Sequence, residues 1–263
     1  MTEALKQLNV DLFGEPLDTL PPRVAAAVEL LSRQGNAESR GEVYTRPEIV
    51  DFILDLVGYT ENQPLHLKRV LEPSFGGGEF LLACIMRLLA AWRASKSIAS
   101  ITDDLANAIR AVELHRETFS VTRERVIQYL LQADVHPRSA TVLADAWLVQ
   151  GDFLLTPFDG TFDFVIGNPP YVRQERVPAP LLTEYRKRYS TLYDRADLYV
   201  PFIERSLRLL SRNGVLGFIC ADRWMKNRYG GTLRKLVAKN YHLDVFVDMV
   251  DTPAFTRDVS TYP

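Results

Sequence analysis

Lys68-Arg69-Val70-Leu71-Glu72-Pro73-Ser74-Phe75-Gly76-Gly77-Gly78-Glu79-Phe80 decides the fold. Its first five residues read as a short strand, and a helix is expected from Glu79 to Ala94. Between them, three consecutive glycines remove Cβ atoms where the chain must turn sharply or let a ligand approach the backbone. The helix N-terminus just beyond favours bound polar or anionic groups. The spacing is not the G-x-G-x-x-G of dinucleotide binders, and it is no P-loop, because no Lys-Ser/Thr pair follows. Glu72, at the strand end, is suited to accept hydrogen bonds from a ligand ammonium, which a phosphate-binding loop would not want. The plain alternative is a tight strand-to-helix turn that binds nothing.

Outward from this unit the pattern alternates. Strands are expected over Ile109 to Leu114, Phe162 to Asn168, Val215 to Ala221 and Leu243 to Val247, with a short one entering Gly151-Asp152. Helices are expected over Thr122 to Gln132, Ser139 to Trp147, Leu198 to Leu210 and Thr232 to Ala238. Upstream lie a helix from Pro22 to Ser32 and another beginning near Thr45. In the latter, Thr45 and Glu48 have capping-box spacing, Pro47 sits in the first turn and Gly58 is placed to end it. Ile49, Phe52, Ile53 and Leu56 would form its apolar face. Strands alternating with helices imply an α/β fold, a mostly parallel sheet wound on both faces. Ligands bind beyond the carboxyl ends of such strands. Glu113 stands at one of these ends, where an acid commonly holds two ribose hydroxyls. It lies about 35 residues from the glycines rather than the usual ~20, so an ordinary surface acid stays open as a reading.

The most specific stretch is Asp163-Phe164-Val165-Ile166-Gly167-Asn168-Pro169-Pro170-Tyr171. An apolar strand runs into Asn, two prolines and an aromatic. Pro169 and Pro170 have fixed φ and no N–H, so they stiffen the turn and leave carbonyls free to accept. The Asn168 side-chain oxygen and the Pro169 carbonyl could hold the two hydrogens of an exocyclic aromatic amine, with Tyr171 stacked on the base. Such an amine is a poor nucleophile because its lone pair is delocalised. Bonds that favour its pyramidal form act chiefly on the transition state.

On these residues the chain resembles the N6-adenine DNA methyltransferases of restriction–modification systems, in the subgroup whose cofactor motifs precede the catalytic motif. The resemblance covers about residues 38–263, leaving 1–37 as an N-terminal helical extension. It implies a Rossmann-like class I methyltransferase fold with S-adenosyl-L-methionine as cofactor. Gly41-Glu42-Val43-Tyr44-Thr45-Arg46-Pro47 is similar to the element that touches the cofactor's methionine moiety, which implicates Tyr44 and Thr45. Glu72 to Phe80 is similar to the first cofactor loop, implicating Glu72, Ser74, Gly76 and Gly78. Glu113 matches the ribose-binding acid. In Gly151-Asp152-Phe153, Asp152 matches the acceptor of the cofactor adenine amine and Phe153 the side chain packed on its ring. Asn168 to Tyr171 matches the catalytic tetrapeptide, and Phe255 lies where the family often places an aromatic against a flipped base. The family loop usually reads Asp-Pro-Ala-Cys-Gly-Ser-Gly, from which Ser74, Phe75 and Gly77 depart; bulky Phe75 is expected to alter cofactor affinity. Thr256 to Pro263 reads like the start of a further strand, and the target-recognition domain that the family carries beyond it is expected to be absent or truncated.

The remaining features bound the partners. A hydrophobic fraction of 47%, a charged fraction of 24% and a net charge of −2 fit an ordinary globular protein and argue against a wholly basic DNA-coating one, while leaving open a nucleic-acid enzyme with its positive charge on one face. No run approaches the ~20 apolar residues of a membrane span. Cys84 and Cys220 both sit in apolar runs and read as free thiols of a reducing cytoplasm. The four histidines have no metal-ligand spacing. Tyr185-Arg186-Lys187-Arg188-Tyr189 and Lys226 are candidates for contacts to the phosphates of double-stranded DNA, against the alternative of a solvated helix face. A restriction nuclease or specificity protein is an implied partner, although no nuclease fits before residue 40. Two other readings stay open: a protein methyltransferase acting on glutamine N5, which also uses Asn-Pro-Pro-Tyr, and a non-catalytic fragment binding cofactor or DNA.

Overall fold

The computed structural model describes residues 20–33, 44–249 and 252–255. Helix α1 (Pro22–Ser32) and helix α2 (Pro47–Leu56) precede strand β1 (Val70–Glu72). Helices α3 (Glu79–Ser95) and α4 (Ile101–Leu105) lead to β2 (Ile109–Glu113), and α5 (Arg116–Gln132) and α6 (Pro137–Trp147) lead to β3 (Leu148–Gln150). Then follow β4 (Phe162–Gly167), α7 (Ala179–Arg188), α8 (Tyr199–Arg208), β5 (Leu210–Phe218), α9 (Arg223–Lys226) and α10 (Gly231–Asn240). The five strands form one sheet in the order β3-β2-β1-β4-β5, and every pairing is parallel.

Pleating sends successive side chains to opposite faces, and two cores result. Val70, Ile109, Ala111 and Ile166 face one layer with Leu54 of α2, Leu81 and Ile85 of α3, Leu130 of α5 and Trp147 of α6. Leu71, Val112 and Val165 face the other, with Val24 of α1, Leu181 and Tyr185 of α7, Phe202 of α8 and Leu233 of α10. Helices on both faces make the doubly wound α/β fold expected from the alternation. The long connection between the glycines and Glu113 contains α4, whose N-cap Ser100 Oγ accepts from the Asp103 N–H at 3.1 Å. The Trp147 indole N–H donates to the Leu105 carbonyl at 2.8 Å and ties α6 to α4. Helix α1 joins the same body through Val24 and Ala27 and through a Glu29–Arg116 ion pair. Among the described residues, no helix is long and apolar enough to cross a membrane.

Three expectations are corrected. Leu243 to Val247 form no strand: Leu243, Val245, Phe246 and Val247 are all about half exposed. An apolar run becomes a strand only where a neighbour pairs with it, and none of the described strands does so. In α2 the buried face is Val50, Ile53 and Leu54, while Phe52 and Leu56 are 42% and 47% exposed. The helix is turned so that Ile53 and Val57 meet Gly217 of β5, where an added Cβ would stand 2.4 Å from Val57 Cγ1. Its capping box does not form either; the N-cap is Arg46, without a side-chain cap, and the Thr45 hydroxyl is used elsewhere. Gly58 does end the helix, with φ +77°. Gly41 to Val43 and Thr256 to Pro263 lie outside the described residues.

Candidate active site

The carboxyl ends of β1, β2, β3 and β4 carry Glu72, Glu113, Gly151-Asp152 and Asn168, and parallel pairing brings all four ends to one side of the sheet. They open onto a single cavity of about 380 Å³, a size suited to a small-molecule ligand. Tyr44, Thr45, Glu72, Ser74, Gly76, Glu113, Asp152, Phe153, Asn168 and Pro170 all line it.

The glycine turn has a different reason at each position. Gly76 holds φ +47°, donates its N–H to Glu113 Oε2 at 3.1 Å and accepts from the Thr122 hydroxyl at 2.7 Å. Gly77 lines the cavity, and a Cβ there would stand 2.9 Å from the Tyr44 ring and 2.6 Å from Glu79 Oε1. Gly78 does not line the cavity: it caps α3 with φ +89°, and a Cβ would meet Thr122 Cγ2 at 2.9 Å. Its glycine serves the turn. Phe75 packs into the core, with its ring 5.9 Å from that of Phe119, and also lines the cavity. Glu113 is fixed through both oxygens, since Oε1 accepts from the His115 N–H at 2.7 Å.

The cavity wall is acidic. Glu72 Oε2 is buried and has no hydrogen-bond partner among the described residues. Burial pushes the Glu72 carboxyl well above the usual carboxylate range, and the charges of Glu79 and Glu113 push it the same way. Burial also raises Asp152, against hydrogen bonds from Tyr185 and the Leu154 N–H and the charges of Arg205 and Arg188. Four acidic side chains, Glu72, Glu79, Glu113 and Asp152, thus line the cavity together with Arg176, and they offer acceptors to a ligand that brings hydrogen-bond donors. The orphaned Glu72 oxygen is a buried acceptor with unused hydrogen-bonding capacity in this cavity.

The raised Glu72 pKa fixes the sign of a pH effect. The native state holds this proton at a pH where the unfolded chain has lost it, above about 4.3. Its stabilising contribution is therefore present at low pH and is lost as pH rises through the native value. Glu72→Gln is expected to flatten this decline in urea titrations of the ligand-free protein at a series of pH values. An unchanged slope in the variant would exclude Glu72 as its source.

The catalytic-motif candidates divide. Asn168 donates from Nδ2 to Thr45 Oγ1 at 3.3 Å, so the nitrogen end of its amide is held. Tyr171 is only 8% exposed, with its ring 6.0 Å from that of Tyr199 and its hydroxyl donating to the Ile219 carbonyl at 3.4 Å. The ring face expected to stack on a base is thus packed in the core. Pro169 and Tyr171 do not line the cavity, whereas Pro170 and Val172 do. Phe255 does not line the cavity; its backbone forms an isolated antiparallel bridge with Thr45, and its carbonyl accepts from Arg46 Nε at 3.1 Å.

The basic candidates are engaged within the chain. Lys187 and Arg188 pair with Glu184 at 3.4 and 2.9 Å, Arg186 donates to Gln174 Oε1 at 2.7 Å, and Lys226 pairs with Asp222. Lys187 and Lys226 are largely exposed, and exposed pairs are weak enough to be exchanged for phosphates, whereas Arg188 and its partner Glu184 are only 14% and 12% exposed. Sequence reading missed several wall residues, among them Leu31 of α1, Arg176 and Tyr185. The signal for Tyr185 was present, because Leu181, Tyr185 and Tyr189 recur at i, i+4 and i+8 and mark one helix face.

Residues 93–255 match the model of the Eco57I restriction-modification methylase family. The type II methyltransferase M.PaeR7I of Pseudomonas aeruginosa is 65% identical over 240 residues, which are 91% of this chain and 42% of that protein. M.XhoI of Xanthomonas vasicola is 51% identical over 227 residues, 86% of this chain and 42% of that protein. The chain thus spans about two fifths of the length of these curated relatives. Among solved structures, a class I S-adenosylmethionine-dependent methyltransferase from Listeria monocytogenes has a TM-score of 0.52 at 15% identity, over 83% of this chain and 58% of its own. The type ISP restriction-modification enzyme LlaGI, with a DNA substrate mimic, gives 0.53 at 19%, over 74% of this chain and 22% of its own. At these identities the structural likeness shows the class I methyltransferase fold.

Proposed function

The chain belongs to the Eco57I restriction-modification methylase family, and from that premise we propose that it is the catalytic portion of a cytoplasmic DNA methyltransferase acting on adenine N6. Residues 38–263 would form the catalytic domain and 1–37 its extension. The supporting observation is that the buried acids and the Asn168 amide, drawn from four strand ends, share one cavity. S-adenosylmethionine is the cofactor, and when bound it supplies a methyl group on a positively charged sulfur. Glu72 accepts from its ammonium, with Tyr44, Thr45, Ser74 and Gly76 around the methionine end. Glu113 accepts from the ribose hydroxyls. Asp152 accepts from the adenine amine, and Phe153 forms the wall beside that ring.

The chain's own groups then act on the target base. Thr45 orients the Asn168 amide so that its oxygen, with the Pro169 carbonyl, accepts the two hydrogens of the adenine amine. These acceptors favour the pyramidal nitrogen of the transition state. Tyr171 stacks on the base after leaving its contact with Tyr199, and Phe255 closes against it. Double-stranded DNA is the substrate, approached by Arg186, Lys187, Arg188 and Lys226 in exchange for their present partners. A restriction nuclease or specificity protein would be the physiological partner.

The target base must leave the duplex to meet this site. With the full-length protein and duplex DNA carrying 2-aminopurine at the target adenine, fluorescence should rise on binding. Binding of this DNA should be weaker in Tyr171→Ala than in Tyr171→Phe, since stacking contributes about 1–3 kcal/mol. No rise with tight binding would exclude extrusion.

A further inference from the structure

Helix α7 presents basic residues to solvent, yet its opposite side reaches the cavity. Tyr185 is 2% exposed, lines the cavity, and donates its hydroxyl hydrogen to Asp152 Oδ2. Asp152 Oδ1 accepts from the Leu154 backbone N–H at 2.9 Å. Both groups around the carboxylate that hydrogen-bond to it are therefore donors. A carboxylate held in this way is fixed in rotation and kept in its accepting form. The surroundings are fixed too: Arg205 donates to the Leu154 carbonyl at 2.6 Å and to the Thr156 carbonyl, and the Tyr189 hydroxyl donates to the Leu154 carbonyl. Residues 152–156 are thus clamped by side chains from α7 and α8.

We propose that Tyr185 is a positioning residue that makes Asp152 an obligate hydrogen-bond acceptor, and that it thereby gives the cavity its selectivity for a cofactor base bearing an exocyclic amine over one bearing a carbonyl. The inference rests on the cofactor reading given above. An adenine amine offers N–H donors to Asp152, whereas the carbonyl oxygen of hypoxanthine offers a lone pair and is repelled. Without the Tyr185 hydroxyl, Oδ2 would be a buried anionic oxygen short of a donor. Taking up a proton relieves that cost, since burial already favours the neutral acid. A protonated Asp152 can donate to a carbonyl, so the preference for the amine weakens.

The test compares dissociation constants for S-adenosylhomocysteine and S-inosylhomocysteine by calorimetry on the intact protein. The wild type is expected to prefer the adenosyl ligand on the order of 10²-fold, as a hydrogen bond to a charged group allows. Tyr185→Phe should reduce that preference to less than about tenfold. Tyr189→Phe, at the C-cap of α7 and bonded to Leu154 rather than to Asp152, should keep the wild-type preference and show only lower stability. Asp152→Asn, whose amide both donates and accepts, is a second variant that should lose the preference with Tyr185 intact. A wild-type preference retained in Tyr185→Phe or in Asp152→Asn overturns the proposal, as does an equal loss in Tyr189→Phe. A wild type that binds neither ligand refutes the cofactor reading itself, and the proposal with it.

Discussion

Asn168→Ala is expected to lower single-turnover methyl transfer to duplex DNA by roughly 10²–10³-fold and to leave cofactor affinity nearly unchanged. Asn168 follows Gly167, which pairs with Phe218 at the end of β4, so the sheet fixes where its side chain begins. The Thr45 hydroxyl holds one end of the amide. On the proposed reading the other end is the acceptor for the target amine. If Asn168 is one of two acceptors for the reacting nitrogen, as proposed, truncation acts much as loss of an oxyanion-hole donor, which removes one stabiliser of a developing charge. Asn168 does not carry the cavity's charge, so binding of S-adenosylhomocysteine should survive. Thr45→Ala should produce a smaller defect in the same direction, because it frees the amide without deleting it. Full activity in Asn168→Ala would refute the assignment of the chemical step.

Phe153→Ala should cost about 3–5 kcal/mol of stability, read as a lowered midpoint in urea unfolding. The ring is buried, 4.9 Å from that of Phe202 and 6.1 Å from that of Phe158, with the Arg205 guanidinium 5.4 Å above it. Its removal would open a void under residues 152–156 and unseat Asp152, the neighbouring acceptor. Saturating S-adenosylhomocysteine should therefore raise the variant's midpoint less than it raises that of the wild type. Phe153→Leu should recover most of the stability, because it refills much of the void. A loss below about 1 kcal/mol in Phe153→Ala would show that the ring is not a pillar of both core and cavity.

The parts of the site that were legible in the sequence are those where chain position and sheet geometry coincide. Glu72, Glu113, Asp152 and Asn168 each follow an apolar run, and parallel strands must end on the same side, so their convergence follows from the pattern. Features that depend on distant partners were not legible. The face that α2 buries is set by β5, whose Gly217 lies about 160 residues further along the chain. The strand expected at 243–247 rested on apolar residues alone, and the strand that would have to pair with them is not among those described. Tyr171 reads as an aromatic free to stack, but Tyr199 and Ile219 occupy its ring and hydroxyl. Tyr185 was legible as a helix-face residue and obscured by the three cations that follow it. Arg205 carries no sequence signal for burial; only the loop carbonyls that it satisfies explain its place in the core.

The most direct measurement is the identity of the methylated product. Duplex DNA is incubated with the full-length protein and S-adenosylmethionine carrying a labelled methyl group, then digested to nucleosides and separated by mass and retention. The label is expected in N6-methyldeoxyadenosine, to be absent when the cofactor is omitted and to fall with Asn168→Ala. Label in methylated deoxycytidine, or on a glutamine side chain of protein, would contradict the assignment of this site to adenine N6.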